Sequence, residues 1–250
     1  MTARRENGRD RAKAKCIVSI FSDKGKRKNN EDYAAHWFDR KSNSTLLILA
    51  DGMGGHASGE VASRMAVEAA LRLFTERPST QASETIQSVF DAAHATICAA
   101  ASSDPARQGM GTTMTIAYVS SDKLVIGHVG DSRAFQFRGT SVRRLTADDL
   151  EVIEALEIPE PLAKRHPHGN ILSQALGVGD RVKPTISTFD VVPKDVIMLC
   201  SDGVTDVLNE PDILAILNGG KPETAAQRLT KQAIHDNSKD NCTAIVLWTR

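Results

Sequence analysis

Read for its alternation of apolar and polar positions, the chain opens on a short apolar run at residues 16–21, then a polar turn at 22–32. Two more strand-like pieces follow at 33–38 and 45–50, the second a continuous apolar stretch of the buried-strand type. A glycine-rich segment, 51–59, then opens an Ala-rich helix reaching about residue 74. A second helix is predicted over about 80–101, where Ile86, Val89, Phe90, Ala93 and Ile97 recur at helical spacing. From Gly111 the character changes. Short β-prone segments at 112–119, 124–129, 134–138 and 142–145, separated by polar turns, read as an antiparallel meander. A poorly patterned connector rich in Glu and Pro, 148–169, comes next. Strands return at 185–191, 196–200 and 243–248, with helical patterns at 212–217 and 223–236. Strands in meanders and helices in consecutive pairs argue for an α+β layer architecture over strict βαβ alternation. No repeat or low-complexity linker divides the chain, so one domain is expected over residues 15–250, after a loose basic tail at 1–14.

Composition narrows the function classes. Lys+Arg and Asp+Glu both total 31, a formal net charge of zero, so no global field exists to collect nucleic acid. Cys16, Cys98, Cys200 and Cys242 are scattered and form no CxxC pair, which fits neither a disulfide framework nor a zinc site. No apolar run suits a signal peptide or approaches the roughly 20 residues of a membrane span. The expectation is a cytoplasmic protein with no membrane or nucleic-acid partner.

The acids carry the chemistry. Asp51 ends the apolar run 46–50 and Asp202 ends 196–200, each followed by glycine. Asp131 is expected at a hairpin tip within Gly130-Asp131-Ser132-Arg133, Asp240 just before the final strand, and Glu31 and Asp32 just before the second. Taken singly, Asp-Gly is an ordinary turn signal. Taken together, so many carboxylates at strand ends suit hard divalent ions, which take oxygen ligands from rigid positions. Two carboxylates about 4 Å apart repel by about 4 kcal/mol at an effective dielectric of 20, so a converging set calls for cations.

The stretch Gly52-Met53-Gly54-Gly55-His56-Ala57 also fits GxGxxA between a strand and a helix. That fingerprint needs a second strand ending in an acid about 20 residues on, and here a second helix follows instead. Asp51, directly before the first glycine, would repel a pyrophosphate. Dinucleotide binding is rejected. No GxxxxGK[ST], HExxH or GxSxG occurs.

Gly25-Lys26-Arg27-Lys28-Asn29-Asn30-Glu31-Asp32, Ala50-Asp51-Gly52-Met53-Gly54-Gly55-His56 and Gly111-Thr112-Thr113 occur in order. Gly127-His128-Val129-Gly130-Asp131-Ser132-Arg133, Ser201-Asp202-Gly203 and Asp240-Asn241 follow. This ordered set, spanning about 16–248, closely resembles the PPM/PP2C family of metal-dependent protein phosphatases in its compact bacterial form. The resemblance implies a four-layer α-β-β-α sandwich, two packed antiparallel sheets flanked by helix pairs. It implies hydrolysis of phosphoserine and phosphothreonine by water activated with two, and in some members three, Mn²⁺ or Mg²⁺ ions. Carried over, Asp51 bridges two ions and Gly52 offers its carbonyl; Asp202 and Asp240 hold one ion, while Glu31 and Asp32 bind the other side directly or through water. Asp131 matches the acid of a third, weaker metal site, and Arg27 the arginine that grips the substrate phosphate. Asp51, Asp202 and Arg27 are the expected catalytic set. Phosphorylated proteins and a cognate Ser/Thr kinase are the implied partners.

Three positions depart from the family pattern. Met53 stands where many eukaryotic members have a histidine proposed as general acid, and a thioether has no proton to give. Asp148-Asp149 replaces a common Asp-His, and the flap at 148–169 is short. His166 and His168 read as exposed loop residues. A non-catalytic phosphoprotein-binding member of the same fold is the alternative, and a hydrolase of small phosphoesters a third reading.

Overall fold

Along the strand β3 (Ser44–Met53), Leu46, Ile48 and Ala50 face one way and Leu47 and Leu49 the other, and all five are fully buried. That double burial is what the continuous apolar run encodes. Leu46, Ile48 and Ala50 pack with Ala62, Ala66 and Ala70 of α1 (Ser58–Glu76) and Phe90 of α2 (Ala82–Ser103). Leu47 and Leu49 face Ile197, Leu199, Ile245 and Leu247 of the opposite sheet. The computed structural model from which this architecture is read describes residues 16–53, 58–76, 82–163 and 166–249; the expected tail at 1–14 lies outside them.

One sheet runs β2 (Asp32–Asp39), β3, β5 (Met114–Ser120), β6 (Lys123–Val129) and β9 (Thr185–Asp190), with β4 (Gly111–Thr112) paired to the end of β3. The other runs β1 (Cys16–Asp23), β11 (Cys242–Thr249), β10 (Val196–Cys200), β7 (Arg133–Arg138) and β8 (Ser141–Arg144). Every pairing is antiparallel. The outer face of the second sheet, Phe135, Met198, Cys200, Ala244 and Val246, packs under Ile213 and Leu217 of α6 (Glu210–Asn218) and Leu229 and Ala233 of α7 (Ala225–His235). The layers are therefore helix, sheet, sheet, helix, as the family resemblance implies. Among the described residues no helix is long and apolar enough to cross a membrane.

Three local expectations change. Residues 112–145 are not one meander: β5 and β6 form a hairpin in the first sheet, β7 and β8 one in the second. Asp131 therefore sits on the crossover between sheets, not at a hairpin tip. The two-residue period shows that a segment is a strand and carries no information about which sheet it joins. Gly130 makes the crossover with φ of 111°, where an added Cβ would stand 2.5 Å from Thr113 Cγ2. The connector at 148–169 contains two short helices, α3 (Glu151–Leu156) and α4 (Glu160–Ala163), too brief to show a period. The helix predicted from 212 starts at Glu210, because Asn209 and Asp212 form a reciprocal capping box with Pro211 in the first turn.

Candidate active site

Both sheets end at the same edge of the sandwich, and their acids meet there. Antiparallel pairing sets Asp32, first residue of β2, directly opposite Asp51 of β3. Like charges so placed destabilise a sheet. Asp202 follows Ser201 at the end of β10 and opens a short helix, α5 (Asp202–Thr205). Ser201 joins the two sheets: its hydroxyl accepts from Thr243 N at 3.0 Å and donates to Asp32 Oδ2 at 2.7 Å. Asp240 enters on the loop before β11, and Asp131 on the crossover.

A cleft of about 690 Å³ opens over this edge. Arg27, Glu31, Asp51, Gly52, Asp131, Asp202 and Asp240 all line it, so seven of the eight residues singled out in the sequence converge. The eighth, Asp32, lies behind Asp51, only 5% exposed. His56 falls outside the described residues. Partly exposed Met53 also lines the cleft, as do Asn170 and Leu172 from the return of the flap. His166 and His168 form a tilted ring pair, centroids 5.7 Å apart, and neither is among the residues that line the cleft.

The electrostatics are lopsided. Burial pushes Asp51 well above the usual carboxylate range, and the charges of Asp32, Asp202, Asp131 and Asp240 push it further. Burial likewise raises Asp202 strongly, helped by Asp131, Asp206, Asp240 and Asp32. Asp32 is pushed up to about 6 by burial, against hydrogen bonds from Thr243 and Ser201 that favour its charged form. Glu31 rises by burial, with Arg27 opposing. Arg27 also lines the cleft. Its Nη2 donates to Asp240 Oδ2 at 2.6 Å and its Nε to the Lys239 carbonyl at 3.1 Å.

Two observations test whether divalent ions suit this ring. Asp32 Oδ1 and Asp202 Oδ1 are buried with no hydrogen-bond partner among the described residues, a costly state for a carboxylate oxygen. Gly52 is packed so closely that an added Cβ would lie 2.1 Å from the Gly59 carbonyl and 2.8 Å from that of Glu31. Only glycine brings β3, Glu31 and the start of α1 together there. Among the described residues no three acidic, His or Cys side chains form one ready-made ligand set. The acids instead surround the cleft, which suits a hard ion that keeps several of its waters.

The residues that hold the ring were less visible in the sequence. Thr112 Oγ1 and Thr113 N both donate to the Asp51 carbonyl, at 2.8 and 2.9 Å, and Thr113 Oγ1 accepts from Asp51 N at 3.0 Å. Asn241 ties down the loop that carries Arg27: its Oδ1 accepts from Glu31 N at 2.8 Å, and its Nδ2 donates to the Lys24 and Asn29 carbonyls. Gly130 is clamped at both ends by Asp149, whose carboxylate accepts from Gly130 N and whose N–H donates to Gly130 O, each at 2.8 Å. Buried His128 adds Nε2 to the same carbonyl at 2.9 Å. All but Asn170 and Leu172 lie in or beside motifs noted above, yet nothing in a motif says which member touches the site and which supports it.

Residues 22–235 match the family model described as protein phosphatase 2C. The chain belongs to that family. It is 37% identical over 243 residues to the serine/threonine phosphatase stp of Listeria monocytogenes, covering 90% of this chain and 93% of that protein. It is 34% identical over 231 residues to the serine/threonine protein phosphatase PstP of Mycobacterium tuberculosis, covering 90% of this chain but only 43% of PstP's length. The PstP catalytic domain solved with two manganese ions superposes with a TM-score of 0.80 at 31% identity, covering 93% of this chain and 97% of that one. PP2C membership and the sandwich fold agree with the resemblance read from the motifs.

Proposed function

We propose that this PP2C chain is a metal-dependent protein phosphatase that hydrolyses phosphoserine and phosphothreonine, opposing a Ser/Thr kinase. The observation that carries the proposal is the ring of carboxylates around one open cleft, with raised proton affinities, orphaned buried oxygens and an arginine at the lip. The relatives named as serine/threonine phosphatases support the substrate class. Mn²⁺ or Mg²⁺ would be held by Asp51, the Gly52 carbonyl, Asp202, Asp240 and Glu31, with Asp32 behind and Asp131 serving a third, weaker site. Ions bound there supply Lewis-acid charge, which activates water and offsets phosphate charge during an in-line displacement.

The chain's own groups do the rest. Thr112 and Thr113 fix the backbone of Asp51, so its carboxylate is aimed before substrate arrives. Arg27 offers a planar fork to phosphate oxygens, and exchanging Asp240 for phosphate trades one anion for another. Met53 at the rim can pack on a substrate but cannot protonate a leaving oxygen. The reading includes a cytoplasmic setting, in keeping with four cysteines that are all free thiols.

Phosphate release from a phosphothreonine peptide, measured with Mn²⁺ and with EDTA, tests the reading. Turnover should require metal and collapse in Asp202→Asn. Folded protein that binds the peptide yet releases no phosphate in any divalent metal would leave the non-catalytic binding member standing in its place.

A further inference from the structure

Lys24, Lys26, Arg27 and Lys28 crowd into five residues without an intervening acid, all exposed, and exposed Lys239 meets Arg27 through its carbonyl. Of these cations Arg27 and Lys28 line the cleft, together with the uncharged Met53, Asn170 and Leu172. A basic run on a turn is usually just a solvated face. Here the positions of the individual cations separate them. Lys26 turns away to the side-chain oxygen of Asn237. Arg27 is engaged by Asp240 and lies where it can take the reacting phosphate. Lys28 also lines the cleft, and among the described residues it has no ion-pair or hydrogen-bond partner. It is left as an exposed positive charge in the lining of the same cleft as Arg27.

We infer that Lys28 is a specificity-determining residue, which favours phosphopeptides carrying a second anionic group one or two residues from the reacting phosphoresidue. The anion is either a carboxylate side chain or another phosphate. Neighbouring Cα atoms lie about 3.8 Å apart, and residues two apart on an extended peptide share a face about 6.6 Å apart. With the reacting phosphate at Arg27, Lys28 is the next residue along the chain and lines the same cleft, and its long flexible stem can meet an anion at that spacing. This inference rests on the phosphatase reading and deepens it by naming the substrate class. Its size is bounded by exposure. A solvent-facing pair gains little, about 3-fold for a carboxylate and about 10-fold for a phosphate at low salt, and it fades as the screening length falls from about 10 Å to about 3 Å between 0.1 and 1 M salt.

The test uses three phosphothreonine peptides identical except for one position two residues away, occupied by Ala, Glu or phosphoserine. Loss of the phosphothreonine phosphate is followed by mass spectrometry for wild type, Lys28→Ala, Lys28→Glu and Lys26→Ala, all with Mn²⁺. The expected result is a kcat/KM ratio, anionic over Ala peptide, of about 3 for Glu and about 10 for phosphoserine in wild type. Each ratio should fall toward one in Lys28→Ala, below one in Lys28→Glu, and persist in Lys26→Ala. The Glu and phosphoserine arms distinguish the two sources of the anion. A flat wild-type profile overturns the inference, as does a preference that survives in Lys28→Glu or drops equally in Lys26→Ala. Turnover of p-nitrophenyl phosphate by wild type separates the two levels of failure. Hydrolysis of that small ester with a flat peptide profile overturns the role of Lys28 alone, whereas no turnover of any substrate overturns the phosphatase reading and this inference with it.

Discussion

Two clusters of charge lie close together in this molecule and are balanced in opposite ways. Beside the flap, Arg133 of β7 holds both oxygens of fully buried Asp148, at 3.2 and 2.7 Å, and reaches Glu160 of α4 at 2.7 Å. Arg144 of β8 closes the circuit onto both Glu160 oxygens and onto Asp148. Among the described residues two arginines here meet two carboxylates, and the result fastens a short helix to a sheet edge. In the cleft, Asp32, Asp131, Asp202 and Asp240 all raise the proton affinity of Asp51, and among the described residues Arg27 pairs with Asp240. Balanced buried charge makes a strut. Unbalanced charge raises proton affinity, leaves oxygens orphaned and creates demand for a cation.

The contrast is most exposed to test at Asp51. Replacing it with Asn should cut turnover at least about 10³-fold, about 4 kcal/mol of transition-state stabilisation, while the metal-free protein melts no lower than wild type, because repulsion is relieved. In wild type, Mn²⁺ at 100 times its dissociation constant should add about 2.7 kcal/mol to unfolding stability, and the Asn variant should lose most of that gain. A metal-free Asp51→Asn protein that unfolds much more readily would show that the cleft acids are struts after all.

The opposite behaviour is expected at Asp148. Cutting it to Ala leaves Arg133 and Arg144 sharing Glu160 in a mostly buried setting and should cost about 3 kcal/mol in urea unfolding, whether or not metal is present. Glu160→Gln, at a partly exposed carboxylate, should cost less and show chiefly as faster amide exchange in α4. Equal losses from the two would mean that the network does not hinge on its buried member.

The smallest effect concerns pH. Asp195 is another balanced acid, paired with Arg138 at 2.8 Å and also accepting from Gln136 and Val192 N. Burial alone would raise its pKa, but those partners outweigh burial and hold it below the ordinary value of 3.8. Its folded pKa being depressed, the stability it gives is complete above the unfolded value and lost as pH falls through the folded one. Acid unfolding below about pH 4 should therefore be shallower in Asp195→Asn by on the order of 1 kcal/mol, since the arginine is half exposed. An unchanged acid limb would remove Asp195 from the balanced class.

The site acids were legible in the sequence because each stands where an apolar strand stops or starts, a local signal. Asp51 beside the run 46–50 and Asp202 beside 196–200 needed no partner to be noticed. The strands themselves were legible for the same reason: Leu46 to Ala50 is apolar on both faces whatever lies next to it. What the chain alone left open depends on contacts distant in sequence. Hairpins β5–β6 and β7–β8 carry the same two-residue period, and only packing against α1 and α2 or against α6 and α7 sends one to each sheet. That choice moved Asp131 from a supposed hairpin tip to the crossover. Convergence, too, belongs to the tertiary structure. Asp32 meets Asp51 through strand register, and Asp32 meets Ser201 through the stacking of one sheet on the other, across 169 positions of chain. A one-dimensional pattern records what each residue prefers; only the folded layers decide whose charge each residue must share.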